Sequence, residues 1–294
     1  MIDKNVHSSL RHIPMRSMTL RLARPTIKMD HGRSWKIDKV NPVNDLIVCL
    51  SGQGNYRMGE DDERITLAPG QALLVPAYTR FRGTHSGGPD RYTGIAQHFA
   101  LELFGRGDMV KQLQLRRSVT LPDWTFNGPV VQHYRTHSPS GTTTLSQHHK
   151  FMLILLAYLE TAFVSWQSPQ DVPDSQDQLS VQIMLAASRL AADPVGDGIE
   201  EVFAKLPYNE DYFRRAFKDR IGLTPTKFRE LKRMEFAASR LGMGLTVKAV
   251  AAELGYSDPY YFSRMFKRFI GTSPSTYREK PDVEPAPKEP GIAT

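Results

Sequence analysis

Two basic runs at helical spacing carry the most specific chemistry in this chain. Arg214, Arg215 and Lys218 form the first, and Arg264 and Lys267 the second. A guanidinium holds its N–H donors in a rigid fork that matches the paired acceptors of a guanine edge or a phosphate, whereas an ammonium is a point charge suited to phosphate. The two runs are one text written twice, YFRRAFKDRIGLTPTKFRE at 212–230 and YFSRMFKRFIGTSPSTYRE at 261–279, 49 positions apart. Ten of the 19 aligned pairs are identical, including Arg215/Arg264, Lys218/Lys267, Gly222/Gly271 and Pro225/Pro274. A repeat at fixed period means one structural unit used twice.

The elements that must position these side chains are readable on both sides. In the second copy Thr246–Leu254 is a short amphipathic helix with Val247, Val250, Ala251 and Leu254 inward, stopped by Gly255. Ser257 or Asp258 then caps a new helix, with Pro259 in its first turn, where no N–H is needed. Tyr261, Phe262, Met265 and Phe266 make its apolar stripe, and Ser263, Arg264, Lys267 and Arg268 face out. The first copy runs Ile199–Leu206, a turn at Pro207-Tyr208, the cap Asn209, and Glu210–Arg220. Each is two short helices with a basic outer face on the second, the helix-turn-helix pattern. Thr224-Pro225 and Ser273-Pro274 each begin a further helix, and the one from Pro225 to about Leu241 is long enough to join the two units rigidly. Between Tyr212 and Arg233 there are eight Lys/Arg against two acids, and between Tyr260 and Arg278 four against none. Charge focused in this way is what phosphate and groove contact requires. A single basic helix face is usually just solvated; two equally spaced copies argue against that reading here.

At Ala251–Lys280 (AAELGYSDPYYFSRMFKRFIGTSPSTYREK) the chain resembles the AraC/XylS family of bacterial transcription regulators, and the resemblance extends over Leu179–Lys280. The first copy departs from the family pattern around Pro207–Asp211, where a Gly-containing turn and a small capping residue are usual. The resemblance implies two recognition helices entering successive major grooves of promoter DNA. Carried over, the contact residues are Asn209, Glu210, Asp211, Arg214, Arg215 and Lys218 in the first unit. In the second they are Ser257, Asp258, Tyr260, Ser263, Arg264 and Lys267. Arg215 and Arg264 are the main base readers on this view, and the repeated Tyr, Phe and Ile positions are core. RNA polymerase contact and activation are what the family implies, with repression still open.

Over the 294 residues, 40% apolar and 23% charged content are ordinary for a globular chain, and the net charge of +7 favours an anionic partner. The single cysteine, Cys49, excludes an intramolecular disulfide and fits a reducing cytoplasm. No run is long and apolar enough to span a bilayer, so a soluble cytoplasmic protein is expected. The chain divides into a basic arm (1–30), a β domain (31–140), a helical dimerisation segment (141–167), a Pro/Asp/Ser/Gln linker (168–178), the DNA-binding domain (179–280) and a disordered tail (281–294). In the β domain short apolar runs alternate with turns: Leu46–Leu50, Tyr56–Met58, Ile65–Leu67, Ala72–Val75 and Tyr92–Phe99. In the helical segment Phe151, Leu155, Tyr158 and Ala162 line one face and Met152, Leu156, Leu159 and Phe163 the other. Such a helix is either sandwiched in a core or shared with a partner chain, and the second option makes a homodimer.

Pro69-Gly70-Gln-Ala-Leu-Leu-Val-Pro76 looks like the central turn and strand of a cupin barrel, the usual sensor domain of the family. The fold class expected is therefore α+β multidomain: a cupin-like β-barrel with a helical dimerisation segment, then an all-α domain with two helix-turn-helix motifs. Where catalytic cupins often carry a metal-binding His, this chain has Phe81, flanked by Arg80 and Arg82; His85 and His98 lack ligand spacing. No metal, cofactor or catalysis is expected. The barrel would hold a small organic effector, a sugar or an organic acid, with Lys39, Arg80, Phe81 and Arg82 near its mouth. Two other readings stay open: a cupin-type enzyme with an appended helical domain, separable by metal analysis, and a nonspecific architectural DNA-binding protein, separable by competition with random duplex.

Overall fold

The computed structural model describes residues 10, 17–59, 62–167, 175–196, 199–204 and 206–279. The strands are β1 (Met18–Leu22), β2 (Ile27–His31), β3 (Lys36–Val40), β4 (Asn44–Ser51), β5 (Gly54–Met58), β6 (Glu63–Leu67), β7 (Gln71–Val75), β8 (Arg80–His85), β9 (Tyr92–Leu103), β10 (Arg106–Asp108), β11 (Leu113–Leu115), β12 (Ser118–Thr120) and β13 (Phe163–Trp166). The helices are α1 (Trp124–His137), α2 (Leu145–Ala162), α3 (Ser175–Ala192), α4 (Ile199–Phe203), α5 (Glu210–Ile221), α6 (Pro225–Gly242), α7 (Val247–Glu253), α8 (Pro259–Ile270) and α9 (Pro274–Glu279). The chain forms two compact units, and the division falls inside α3, between Val181 and Gln182.

The first unit contains two large antiparallel sheets and a small third one, in which β11 pairs with β13. Of the large sheets, one has the order β1-β9-β4-β7-β12, with β2 and β10 also pairing β9; the other has the order β3-β8-β5-β6. Period-two alternation decides which side chains face inward: Tyr56 and Met58 on β5 and Phe81 on β8 are buried, whereas Asn55, Arg57, Arg80 and Arg82 are exposed. The interior joins Ile47, Cys49, Tyr56, Phe81, Tyr92 and their neighbours into one core. Rings dominate it, with Trp35 stacked on His31 at 4.4 Å and the Tyr56 and Tyr92 hydroxyls 2.8 Å apart. Burial pushes the Cys49 thiol up to about 12, so it behaves as a small apolar group. On the other face of the larger sheet, α1 and α2 pack through Tyr134 and Phe151, and Gln97 takes hydrogen bonds from Thr26 and Tyr134.

Three expectations are corrected here. The arm does not extend to residue 30, because β1 and β2 pair with β9 and bury Leu20 and Met29; the alternation Met18, Leu20, Leu22 is the signal. The helical segment ends at Ala162, and β13 pairs with β11. Ser175–Gln178, read as linker, are the first turn of α3. Residues 168–174 and the tail from 281 lie outside the described residues.

Among the described residues of α2, one face is buried through Phe151, Ile154, Leu155, Tyr158, Leu159 and Ala162. Met152 and Leu156 are half-buried, and Leu153 is 51% exposed. Thr144 caps this helix, accepting from the Gln147 N–H at 3.2 Å while the Gln147 side chain returns to the Thr144 N–H.

The second unit shows the repeat in three dimensions. Phe213 packs on Phe217 and Phe217 on Phe228; 49 residues on, Phe262 packs on Phe266 and Phe266 on Tyr277. Both second helices end on a left-handed glycine, Gly222 at φ 84° and Gly271 at φ 91°, a conformation that favours glycine. Thr224 caps α6 by accepting from Lys227, and Ser273 accepts from Thr276 at the start of α9.

Candidate nucleic-acid interface

In the second unit α8 is the exposed basic helix. Asp258 caps it by accepting the Tyr260 N–H at 2.8 Å, which resolves the choice between Ser257 and Asp258. Phe262, Phe266 and Ile270 are buried, one helical turn apart, and fix the opposite face outward. That outer face presents Tyr260, 81% exposed, with Arg264, Lys267 and Arg268. Arg264 lies over the Tyr261 ring at 5.7 Å and has no carboxylate partner among the described residues. Its fork is therefore available for a guanine edge or a phosphate. Ser263 is half-buried, with its hydroxyl given to the Pro259 carbonyl at 2.8 Å.

The first unit places its counterparts differently. Asn209 caps α5, accepting from the Asp211 and Tyr212 N–H groups at 3.0 and 3.3 Å, so its side chain is committed to the helix end. Arg215 and Lys218 are exposed, and Arg215 Nε donates to the Asp211 carbonyl at 3.3 Å. Arg214, by contrast, is held within the chain. Its Nη2 lies 2.6 Å from Glu210 Oε1, and its guanidinium sits 4.7 Å above the Phe203 ring of α4. Glu210 thus acts as a clasp on the Arg214 cation. Glu210→Ala is expected to release Arg214, tighten DNA binding, and steepen the slope of log affinity against log salt by about 1. Gel shifts across a salt series would check this, and an unchanged slope would show that Arg214 stays folded back.

The two repeated tyrosines do not join the core as expected. Tyr212 is 44% and Tyr261 47% exposed, because each lies one residue before a buried Phe and is rotated off the inner face. Tyr261 is the platform under Arg264 and helps to set where that guanidinium stands. The spacing to Arg264 at i+3 was the available signal.

What joins α5 and α8 is α6, which packs against both. Its C-terminal half, through Met234, Ala237, Ala238 and Leu241, belongs to the same core as Val250, Leu254, Phe262 and Phe266. Arg233 reinforces that seam: its guanidinium lies 5.3 Å over the Tyr256 ring and donates to the Leu254 carbonyl, while the Tyr256 hydroxyl donates to Glu230. Burial and the Glu230 carboxylate push the Tyr256 phenol up to about 12, so it remains a donor. Arg240 adds a forked pair with Glu253 of α7 at 2.7 and 3.1 Å. None of these arginine roles was anticipated from the sequence, where they counted only as positive charge.

In the first unit the four candidate effector residues do not converge. Lys39 and Phe81 face inward on paired positions of β3 and β8, whereas Arg80 and Arg82 face away. Phe81 is fully buried, with Lys39 Nζ 5.1 Å from its ring centre. Arg80 forms a two-pronged pair with Asp38, both contacts 2.9 Å, and this holds the Asp38 carboxyl below its usual range. Lys39 instead joins a buried polar group: Asp45 Oδ2 lies 3.1 Å from His98 Nε2, 3.3 Å from Asn41 Nδ2 and 3.6 Å from Lys39 Nζ. His85 accepts the Gly87 N–H at 2.9 Å and is a satisfied core residue. Among the described residues no three His, Cys, Asp or Glu side chains gather as a metal set, and no helix is long and apolar enough to cross a membrane.

No curated protein sequence matches the chain. Solved structures similar to it include ToxT from Vibrio cholerae, 12% identical over 90% of this chain and 98% of that one, with a TM-score of 0.31. A DNA-binding transcriptional dual regulator from Escherichia coli K-12 is 17% identical over 34% of this chain and 90% of that one, at 0.30. The xylose-binding transcription activator XylR is 19% identical over 45% and 37%, also at 0.30. The family model described as a helix-turn-helix domain matches residues 202–280, which span α5 to α9 and both basic helices. Residues 202–280 of the C-terminal unit are a helix-turn-helix domain.

Proposed function

We propose that this protein is a sequence-specific, DNA-binding transcription regulator whose activity answers to a small-molecule effector. The observation that carries the reading is the duplicated helix-turn-helix, with α5 and α8 presenting exposed cations on helices whose opposite faces are buried. Arg215 and Arg264 read bases, Lys218 and Lys267 contact phosphate, and the chain performs no catalysis of its own. The first unit, a cupin-like pair of sheets, is the sensor. Effector binding acts by favouring one arrangement of the chain over another, since a ligand without differential affinity for two states shifts nothing. The protein works in the cytoplasm, as a homodimer, through contact with RNA polymerase. The exposed Leu145 and Leu153 and half-buried Met152 and Leu156 on α2 support the dimer.

Arg264→Ala is expected to weaken binding to the protein's own upstream region by about 1–3 kcal/mol and to relax preference at one base pair. Gel shifts with competitor duplex and a library of single-base operator variants would measure both. Equal affinity of the wild type for random duplex would sink the sequence-specific reading and leave an architectural binder. An unchanged base preference in the variant would move the reading role to another side chain.

A further inference from the structure

The outer face of the smaller sheet carries a row of arginines that the DNA-binding reading does not use. Arg57 on β5 is paired directly with Arg64 on β6 and with Arg82 on β8, so three guanidiniums stand side by side across three strands. All three are exposed and point away from the ring-filled interior. Like charges directly opposite one another destabilise a sheet. The described carboxylates do not neutralise the row. Asp62 is shared between Arg57 at 3.2 Å and Arg82 at 3.7 Å, and Asp38 between Arg82 at 3.4 Å and Arg80 at 2.9 Å. Arg64 has no carboxylate partner among the described residues.

The face is also concave. A cavity of about 460 Å³ is lined by Arg57, Arg64 and Arg82 together with Asn55, Thr66 and Thr84. The last three form the next cross-strand row, in which Thr66 Oγ1 donates to Asn55 Oδ1 at 2.9 Å. A guanidinium row beside a row of hydroxyl and amide groups offers forked donors for anionic oxygens and single hydrogen bonds for neutral ones. Neighbouring strands lie about 4.8 Å apart, so the row spans about 10 Å. A monovalent anion would satisfy one fork; a molecule with two or three anionic groups satisfies the row.

We propose that this face is a binding site for a small polyanion bearing two or more phosphate or carboxylate groups, with Arg57, Arg64 and Arg82 as its ligands. The site is distinct from the inward-facing Lys39, Asp45 and His98 group, and it stands whether or not the DNA-binding reading holds.

The test is calorimetric titration of the full-length protein with tripolyphosphate and, separately, with citrate, at ionic strength held constant with sodium chloride. Saturable binding is expected for at least one anion, and the tighter of the two names the chemistry. Arg64→Ser and Arg57→Ser should each weaken it by tenfold or more, while Arg264→Ala on the DNA-facing helix leaves it unchanged. Without anion, Arg64→Ser should melt no lower than the wild type, because it removes repulsion. Absence of saturable binding by either anion would overturn the proposal. So would binding lost in Arg264→Ala but kept in Arg64→Ser, or a lowered melting temperature of the anion-free Arg64→Ser protein.

Discussion

Phe266→Ala is expected to destabilise the C-terminal unit by about 3–5 kcal/mol, the cost of deleting a buried aromatic ring from a core that closes only partly behind it. Phe266 is fully buried between Phe262 and Tyr277, at ring-centre distances of 5.9 and 5.7 Å. A domain of this size has a total stability of about 5–15 kcal/mol, so the loss is a large share. The consequence reaches beyond α8, because α6 supplies Met234, Ala237, Ala238 and Leu241 to the same core. Phe217 is its repeat partner, and it packs on Phe213 and Phe228 outside that core. Hydrogen exchange should therefore show the amides of 234–241 losing protection in Phe266→Ala and keeping it in Phe217→Ala. Equal loss in both variants would mean that the two helix-turn-helix units unfold as one.

Gly94→Val should severely destabilise the N-terminal unit while leaving the C-terminal unit folded. A side chain at Gly94 would place its Cβ 2.0 Å from the Val48 carbonyl oxygen, in the central β4–β9 pair. The obstruction is backbone in the middle of a sheet and cannot rotate away, so a cost of about 4 kcal/mol is expected. Gly141, whose added Cβ would meet nothing within 4 Å, is the matched control. Two-wavelength melts and gel shifts would follow the two units separately. A variant in which DNA binding vanishes with the N-terminal fold would show that binding needs that unit, for instance through a dimer.

The helical unit was largely legible because its signals are local. Cap, proline and glycine sit at fixed offsets, and a 49-residue repeat lets one copy check the other. The sheets were legible where alternation is clean, as at Tyr56–Met58. β8 was missed because Arg80, Arg82 and Thr84 make it read as polar; only cross-strand partners reveal that Phe81 is buried. Site residues were the least legible. Side-chain direction set Arg80 and Arg82 outside and Lys39 inside, and side-chain pairing set Arg214 against Glu210 while leaving Arg264 open. Both are properties of packing, and composition does not encode them.

The seam that fixes α6 to the second unit has a consequence for the DNA. At 18 residues α6 is about 27 Å long, whereas one turn of B-DNA advances about 34–36 Å. Were α5 and α8, as proposed, to seat in successive major grooves at a separation no greater than the length of α6, the intervening base pairs would bend toward the protein. Steps that bend easily, such as TA or CA, should then be favoured there although no side chain touches them.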